Sequence, residues 1–281
     1  FAIVLFIFAF CYSAYAQFDD PRYDRIPSSF TKNIVPKLFA PMAPITLDDY
    51  DNFNNGYDYS EGHVSVNPRN PLWSFCAYNM NGAHYVLNGH DWTTVNVIFP
   101  GASGDPVTCY DSLGNLFYET MKSPISGCWV SKSTNGGVNW GTPVTGVNGN
   151  DKNWIAADQT SGPYANYIYS TMTPGYFWRS TDHGASFSQT AQLSPQVLPG
   201  MMVAVGPNVL SGNISGGCVY VVTHSGTNSA GTYNFFCSTN GGLNFTSKSS
   251  ISVSNVIGTE IGGRSCVGVM RNRPYPMIAA D

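Results

Sequence analysis

Short runs in which apolar and polar side chains alternate fill the chain from residue 62 onward, and Gly, Asn, Ser or Pro closes each run. A period of two sends successive side chains to opposite faces of an extended strand, while Gly, Asn and Pro build the turns between strands. The pattern predicts strands in groups of four. The first group is His63–Asn67, Trp73–Tyr78, Ala83–Leu87 and Thr93–Phe99, and the second is Asp105–Tyr110, Asn115–Met121, Gly127–Ser133 and Thr142–Thr145. The third is Asn153–Asp158, Tyr167–Met172, Tyr176–Ser180 and Phe187–Gln192, and the fourth is Met201–Val205, Cys218–His224, Thr232–Ser238 and Ser247–Val253. The groups begin alike: Pro106-Val-Thr-Cys-Tyr-Asp111, Trp154-Ile-Ala-Ala-Asp158 and Met277-Ile-Ala-Ala-Asp281 each end a strand in Asp. Gly and Asn interrupt every window long enough for a helix, so the predicted class is all-β.

One turn recurs between the third and fourth runs. Ser180-Thr-Asp-His-Gly-Ala-Ser-Phe187 has the frame Ser-x-Asp-x-Gly-x-x-aromatic, and Ser133-Thr-Asn-Gly-Gly-Val-Asn-Trp140 and Ser238-Thr-Asn-Gly-Gly-Leu-Asn-Phe245 repeat it with Asn for Asp. A worn copy, Tyr85-Val-Leu-Asn-Gly-His-Asp-Trp92, keeps Gly89 and Trp92. The side chains of Asn135, Asp182 and Asn240 are expected to accept hydrogen bonds from backbone N–H groups two or three residues on. Gly137, Gly184 and Gly242 tolerate a positive φ, and Trp140, Phe187 and Phe245 can pin the turn to the apolar layer beside it. The octets start at 85, 133, 180 and 238, so they are spaced by 48, 47 and 58 residues. Four short strands with their turns use about 40–50 residues, the size of a propeller blade.

The octets resemble the Asp-box, or bacterial neuraminidase repeat, of the sialidase superfamily. The resemblance covers roughly residues 62–281. It implies a β-propeller of four-stranded antiparallel blades, six in the whole family fold, with blades here at 62–99, 105–145, 153–192 and 201–253 and a fifth begun at 276–281. It also implies that the octets are structural. Asp-boxes occur in glycosidases, in sortilin-type receptors and in non-enzymatic propellers, so the resemblance by itself leaves activity open.

Residues 1–16, an apolar run ending in Ala14-Tyr15-Ala16, read as a secretory leader. The run is shorter than the roughly 20 apolar residues of a membrane span, and no later stretch approaches that length. It has neither an initiator Met nor a basic flank, and the expected product is an N-terminal piece of a secreted, cell-surface or periplasmic protein that can carry further C-terminal domains. Residues 17–61 form an extension without an octet; the stretch 17–62 holds eight of the 17 acidic residues. Within it, Asp48 to Asp58 invites a calcium-loop reading, but with Gly56 in the glycine place, Phe53 and Gly62 fall on ligand positions. Charged residues are only 11% of the chain, the net charge is −4, and no Lys/Arg cluster exists, which excludes the basic footprint of a nucleic-acid binder.

The resemblance also says where to look for chemistry. Sialidases open with an aromatic-Arg-Ile-Pro motif whose Arg grips a substrate carboxylate, a task for the bidentate guanidinium fork. Tyr23-Asp24-Arg25-Ile26-Pro27 matches with one inserted residue, so Arg25 maps onto that role. Asp48, Asp49 and Asp51 fall where the family's acid/base Asp follows, with Asp49 the nominated member, and Glu260 sits near Arg264, Arg271 and Arg273 as the later Glu-Arg neighbourhood. The family's Tyr nucleophile and third Arg belong to blades beyond these residues, so the 281 residues alone are expected to release no sialic acid. The five His residues show no metal-ligand spacing, and no cofactor motif is present.

Six Cys remain outside the leader, at 76, 109, 128, 218, 237 and 266. A hairpin turning near Asn228 sets Cys218 across from Cys237 to within one residue, which makes them the disulfide candidate, bridged or at least adjacent. Cys109 and Cys128 have a whole strand between them and are expected to stay unlinked. Asn213-Ile-Ser215 and Asn244-Phe-Thr246 have the glycosylation sequon. The expected partner is a glycan or glycoconjugate, sialylated if the sialidase resemblance extends to the substrate. The alternatives are a non-catalytic propeller that binds glycan or protein and a structural module of a longer protein.

Overall fold

The computed structural model describes residues 61–79, 82–208, 214–227, 230–254, 259–261, 264–267, 270–271 and 275–280. All regular structure among them is β, and no helix among them is long and apolar enough to cross a membrane. Four antiparallel four-stranded sheets follow one another along the chain, each in simple up-and-down order. Blade 1 comprises β1 (Gly62–Val66), β2 (Ser74–Tyr78), β3 (Ala83–Val86) and β4 (Thr93–Val95). Blade 2 comprises β5 (Ala102–Tyr110), β6 (Leu116–Lys122), β7 (Gly127–Ser133) and β8 (Val144–Asn148). Blade 3 comprises β9 (Asp151–Ala157), β10 (Ile168–Thr173), β11 (Tyr176–Ser180) and β12 (Ser188–Gln192). Blade 4 comprises β13 (Met202–Asn208), β14 (Ile214–Gly226), β15 (Ala230–Ser238) and β16 (Thr246–Ser254). A three-stranded sheet that the hydrophobic pattern did not reveal follows: β17 (Thr259–Ile261), β18 (Arg264–Val267) and β19 (Met270–Arg271).

The sheets pack face to face in sequence. β5 lies against β1 and β2, β9 against β5 and β6, and β13 against β9 and β10, so the first strand of every blade is its innermost. The core therefore sits between blades. Phe75, Ala77 and Ala83 of blade 1 meet Tyr110, Leu116 and Tyr118 of blade 2, and Val107, Phe117 and Val130 meet Ile155 and Ile168 of blade 3. Tyr169, Phe177 and Met201 meet Val219, Val221 and Phe236 in the same way. Middle strands are covered on both faces, which is why β6 is buried from Leu116 through Met121 instead of alternating. The outermost β16 is exposed along its whole length.

Double coverage also buries Glu119 of β6 completely between blades 2 and 3. Its carboxyl accepts from Asn153 Nδ2 at 2.9 Å and from Ser170 Oγ. Burial pushes it up to about 7 from an ordinary 4.5, against the opposing pull of those two hydrogen bonds. A carboxyl raised on folding stabilises the fold below the unfolded value, and that contribution is lost as pH rises from there through the folded value. Glu119→Gln keeps the shape and cannot ionise. Relative to wild type, it is expected to gain up to about 3 kcal/mol between pH 4 and pH 8, a difference that urea unfolding at the two pH values would show.

The strand register sets Cys218 and Cys237 adjacent, as expected, but not directly opposed. Cys237 pairs across from Tyr220, two residues beyond Cys218, so the two cysteines are diagonal neighbours. Both are free thiols, with Sγ atoms 3.7 Å apart. Cys109 and Cys128 are also free, on β5 and β7 with β6 between them. Residues 275–280 enter no sheet and instead lie along blade 4, where Tyr275 backs onto Gly200 and Ala280 onto Gly206.

Candidate functional site: the mouth of the inner strands

Antiparallel blades have two distinct ends. At one end lie the octet turns and the loops that follow the inner strands; at the other lie the starts of the inner strands and the hairpins between second and third strands. The octet end is built for stability. In each octet the Ser Oγ donates to the Asx Oδ1 (Ser133 to Asn135 at 3.0 Å, Ser180 to Asp182 at 2.7 Å, Ser238 to Asn240 at 2.9 Å). The same Oγ accepts from the N–H of Gly137, Gly184 or Gly242 at 2.8–3.0 Å. The Asx Oδ1 then accepts from the N–H of Asn139, Ser186 or Asn244 at 2.9–3.0 Å. These bonds reach four residues on, not two or three, because the serine takes the nearer N–H; its role was missed from the sequence. Slight burial opposes ionisation of Asp182, but hydrogen bonds from Ser186 and Ser180 hold its carboxyl below the usual range.

Each octet also docks on the preceding blade. A Cβ at Gly137 would meet Phe75 at 2.6 Å, one at Gly184 would meet Phe117 at 2.4 Å, and one at Gly242 would meet Phe177 at 2.6 Å. Trp140 packs at a tilt against Phe75 with ring centroids 5.1 Å apart and Phe245 edge-on against Phe177 at 4.7 Å, and Phe187 packs with Val107 and Phe117. Cations of the preceding blade complete the joint: Lys132 Nζ donates to His183 O at 3.1 Å and Arg179 Nη1 to Gly241 O at 2.6 Å. In the worn copy, Gly89 N donates to Leu72 O at 2.9 Å and Asn88 Oδ1 caps His90 and Asp91. Trp92 is half-buried.

The opposite end gathers the polar chemistry. Asn67, Asp111 and Asp158 mark the octet end of the inner strands of blades 1 to 3, where each uses Oδ1 to cap the N–H two residues on, at 2.8–3.0 Å. Six positions before them stand Glu61, Asp105 and Lys152, structurally equivalent residues from three consecutive blades. They converge. Lys152 Nζ donates to Glu61 Oε2 at 2.8 Å and lies 3.5 Å from Asp105 Oδ1. Asn79, in the hairpin of blade 1, accepts from Asp105 N at 2.7 Å. The equivalent residue before Asp281 is Tyr275, whose phenol lies close enough to Lys152 to favour its charge.

The two carboxyls hold protons differently. Burial, opposed by Lys152 and reinforced by the negative charge of Glu61 and Asp151, pushes Asp105 up to about 8. Burial also works on Glu61, but the charge and hydrogen bond of Lys152, with hydrogen bonds from Asp105 and Asn79, hold it below the carboxylate range. Asp105 Oδ2 is buried and meets no donor. Buried beside the charge of Glu61, Asp105 keeps its proton at neutral pH. Burial tends to discharge Lys152, yet Asp105 and Glu61 together raise it above its ordinary value.

One step inward, His63 Nδ1 accepts from Thr108 N at 3.2 Å, and the ring stands edge-on to Trp154 at 5.3 Å. Burial and the Lys152 charge bring His63 down to about 4, so the ring is neutral. The site is thus a carboxylic acid, a carboxylate, an ammonium and a neutral imidazole beside an indole. Glu61 is its most open charged member, with 38% of the side chain exposed against 15% for Lys152 and 3% for Asp105.

None of the residues expected from the sequence to carry chemistry has a described side chain. Arg25 and Asp49 lie outside the described residues, and Glu260 is on β17, with its side chain outside them. The acidic loop at 48–58 and the leader also lie outside. Among the described residues no group of three or more His, Cys, Asp or Glu is arranged to hold a metal. The ring had one legible signal, the strand-ending Asp that aligns the blades; nothing local marked the residues six positions earlier.

No protein-family model matches the chain, and no curated protein does. Among solved structures it is similar to a Hadza microbial sialidase, with 13% identity over 73% of this chain and 48% of that one, TM-score 0.46. It is also similar to an α-L-arabinanase of Penicillium chrysogenum complexed with arabinobiose, with 15% identity over 60% and 54% of the two chains, TM-score 0.40. A third is YCF48 from Cyanidioschyzon merolae, with 11% identity over 72% and 57%, TM-score 0.38. The chain spans about half the length of these structures. Four consecutive four-stranded antiparallel sheets, each stacked on the last through its innermost strand and closed by one repeated turn, give this chain the blade architecture of a β-propeller.

Proposed function

We propose that this protein is an exported, glycan-directed propeller that holds saccharide at the mouth formed by Glu61, Asp105 and Lys152. The observation that supports this reading is the convergence of one equivalent polar residue from each of three blades, opposite the octet turns. A sugar ring offers hydroxyls that donate to carboxylate oxygens and accept from an ammonium, and a C–H face that packs on aromatic rings. Glu61, Lys152 and Trp154 present those groups together. Sialidase-type retaining hydrolysis is the finer form of the proposal, with Arg25 gripping an anionic sugar and Asp49 and Glu260 beside it.

A glycan array followed by titration calorimetry tests the reading. Wild-type protein is expected to bind saccharide, and Glu61→Gln to weaken it about tenfold or more, the cost of losing a hydrogen bond to a charged group, with the far-ultraviolet spectrum unchanged. Failure to capture any glycan, or an affinity indifferent to Glu61→Gln, sinks the mouth as the binding site. Release of sialic acid from a fluorogenic sialoside that disappears in Arg25→Ala would establish the hydrolytic form; turnover that survives the substitution rules out the clamp role of Arg25.

A further inference from the structure

We propose that Asn244 is a glycan attachment site, placed by the fold at the end opposite the mouth; this rests on the export part of the reading above. Asn244-Phe245-Thr246 is a sequon, and its two functional residues, Asn244 and Thr246, are both exposed. In the octet only the backbone of Asn244 is used: its N–H donates to Asn240 Oδ1 at 3.0 Å. Among the described residues its side-chain amide makes no hydrogen bond, so nothing in the turn is lost when that amide is substituted. Phe245 turns inward onto Phe177, which orients the two sequon residues on either side of it outward. Thr246 opens β16, where the backbone pairs with Cys237 and leaves the hydroxyl in solvent.

The fold contains its own comparison. Asn139 holds the same turn position, is likewise exposed, and donates its N–H to Asn135 Oδ1 at 2.9 Å, but Gly141 stands where the hydroxyl residue is needed. The chemistry requires a polyprenyl-diphosphate-linked oligosaccharide, which a eukaryotic export pathway supplies. Asn244 Nδ2 attacks the anomeric carbon, a C–N bond forms, the bond from that carbon to the diphosphate oxygen breaks, and the electron pair leaves with the polyprenyl diphosphate. The amide proton passes to a base. The Thr246 hydroxyl is the recognition group that positions the amide.

The test is expression of the full chain in a eukaryotic secretory host, with digestion by an amidase that removes Asn-linked glycans and mapping of the peptide containing Asn244. The expected result is a discrete mobility step on digestion, conversion of Asn244 to Asp, and loss of that step in Asn244→Gln and Thr246→Ala but not in Thr246→Ser. Asn139 should remain unmodified, and glycan binding at the mouth should be unchanged in Asn244→Gln. Secreted protein with an unmodified Asn244 overturns the proposal and leaves export standing, whereas unmodified protein retained in the cells overturns both. A step that follows Asn213→Gln alone overturns it as well.

Discussion

Lys152→Met is expected to cost about 3 kcal/mol of folding stability at pH 9 and much less at pH 5. Removing one partner of a buried ion pair leaves the other charge unpaired, which costs about 3–5 kcal/mol when both are fully enclosed; the 38% exposure of Glu61 puts this case at the lower end. The pH dependence follows from the neighbours. At pH 5 Asp105, pushed up to about 8, keeps its proton and Glu61 is the one carboxylate to neutralise. Above pH 8 both are ionised within reach of the same ammonium, and without it they repel. Because Asp105 is raised on folding, its own contribution is already lost as pH climbs from 3.8 through about 8, and the variant should fall more steeply than wild type over that window. Asp105→Asn in the Lys152→Met background should recover most of the loss at pH 9. Urea midpoints at the two pH values decide the matter: an equal difference at both would mean that the ring is not held by these charges.

Gly184→Ala is expected to destabilise the protein by about 2–4 kcal/mol, combining the strain of a side chain at left-handed φ with overpacking. The φ is +81°, and the new Cβ would stand 2.4 Å from Phe117 Cε1, in the joint between blades 2 and 3. Phe117 is fully buried and has no room to retreat. Shortening the obstacle, in Gly184→Ala with Phe117→Leu, should cost less than the two changes summed, a coupling that a double-mutant cycle measures. Gly141→Ala is the matched control. There a Cβ would make ordinary contact with Lys132 O at 3.5 Å, so thermal unfolding should shift little. An equally small shift at both glycines would show that the blade joint tolerates a methyl group.

These two sites mark the boundary between what local sequence conveys and what it does not. Period-two alternation and Asx-Gly turns act over a few contiguous residues, so the strands, their grouping in fours and the octet spacing can be read from the chain alone. Small errors came from sheet extension: β14 runs to Ile214–Gly226 and β8 sits at Val144–Asn148, because pairing with the neighbouring strand sets where a strand ends. The β17–β19 sheet, made of very short strands, carried too little alternation to register.

The glycine requirement of the octets was visible, but only half its reason was. Conformation is a property of the turn itself, whereas the contacts of Gly137, Gly184 and Gly242 with Phe75, Phe117 and Phe177 exist only once one blade lies on another. Cys218 and Cys237 differ from their expected pairing by a small slip of register, a quantity that the whole hairpin sets and no single turn residue reveals. The mouth was the least legible. Glu61 and Lys152 are 91 residues apart, and their encounter depends on the stacking of three blades. Strands and turns follow from short-range backbone geometry, which the sequence states outright; the convergence of charges on one end of the inner strands is a long-range consequence of how the sheets stack, and the tertiary structure alone decided it.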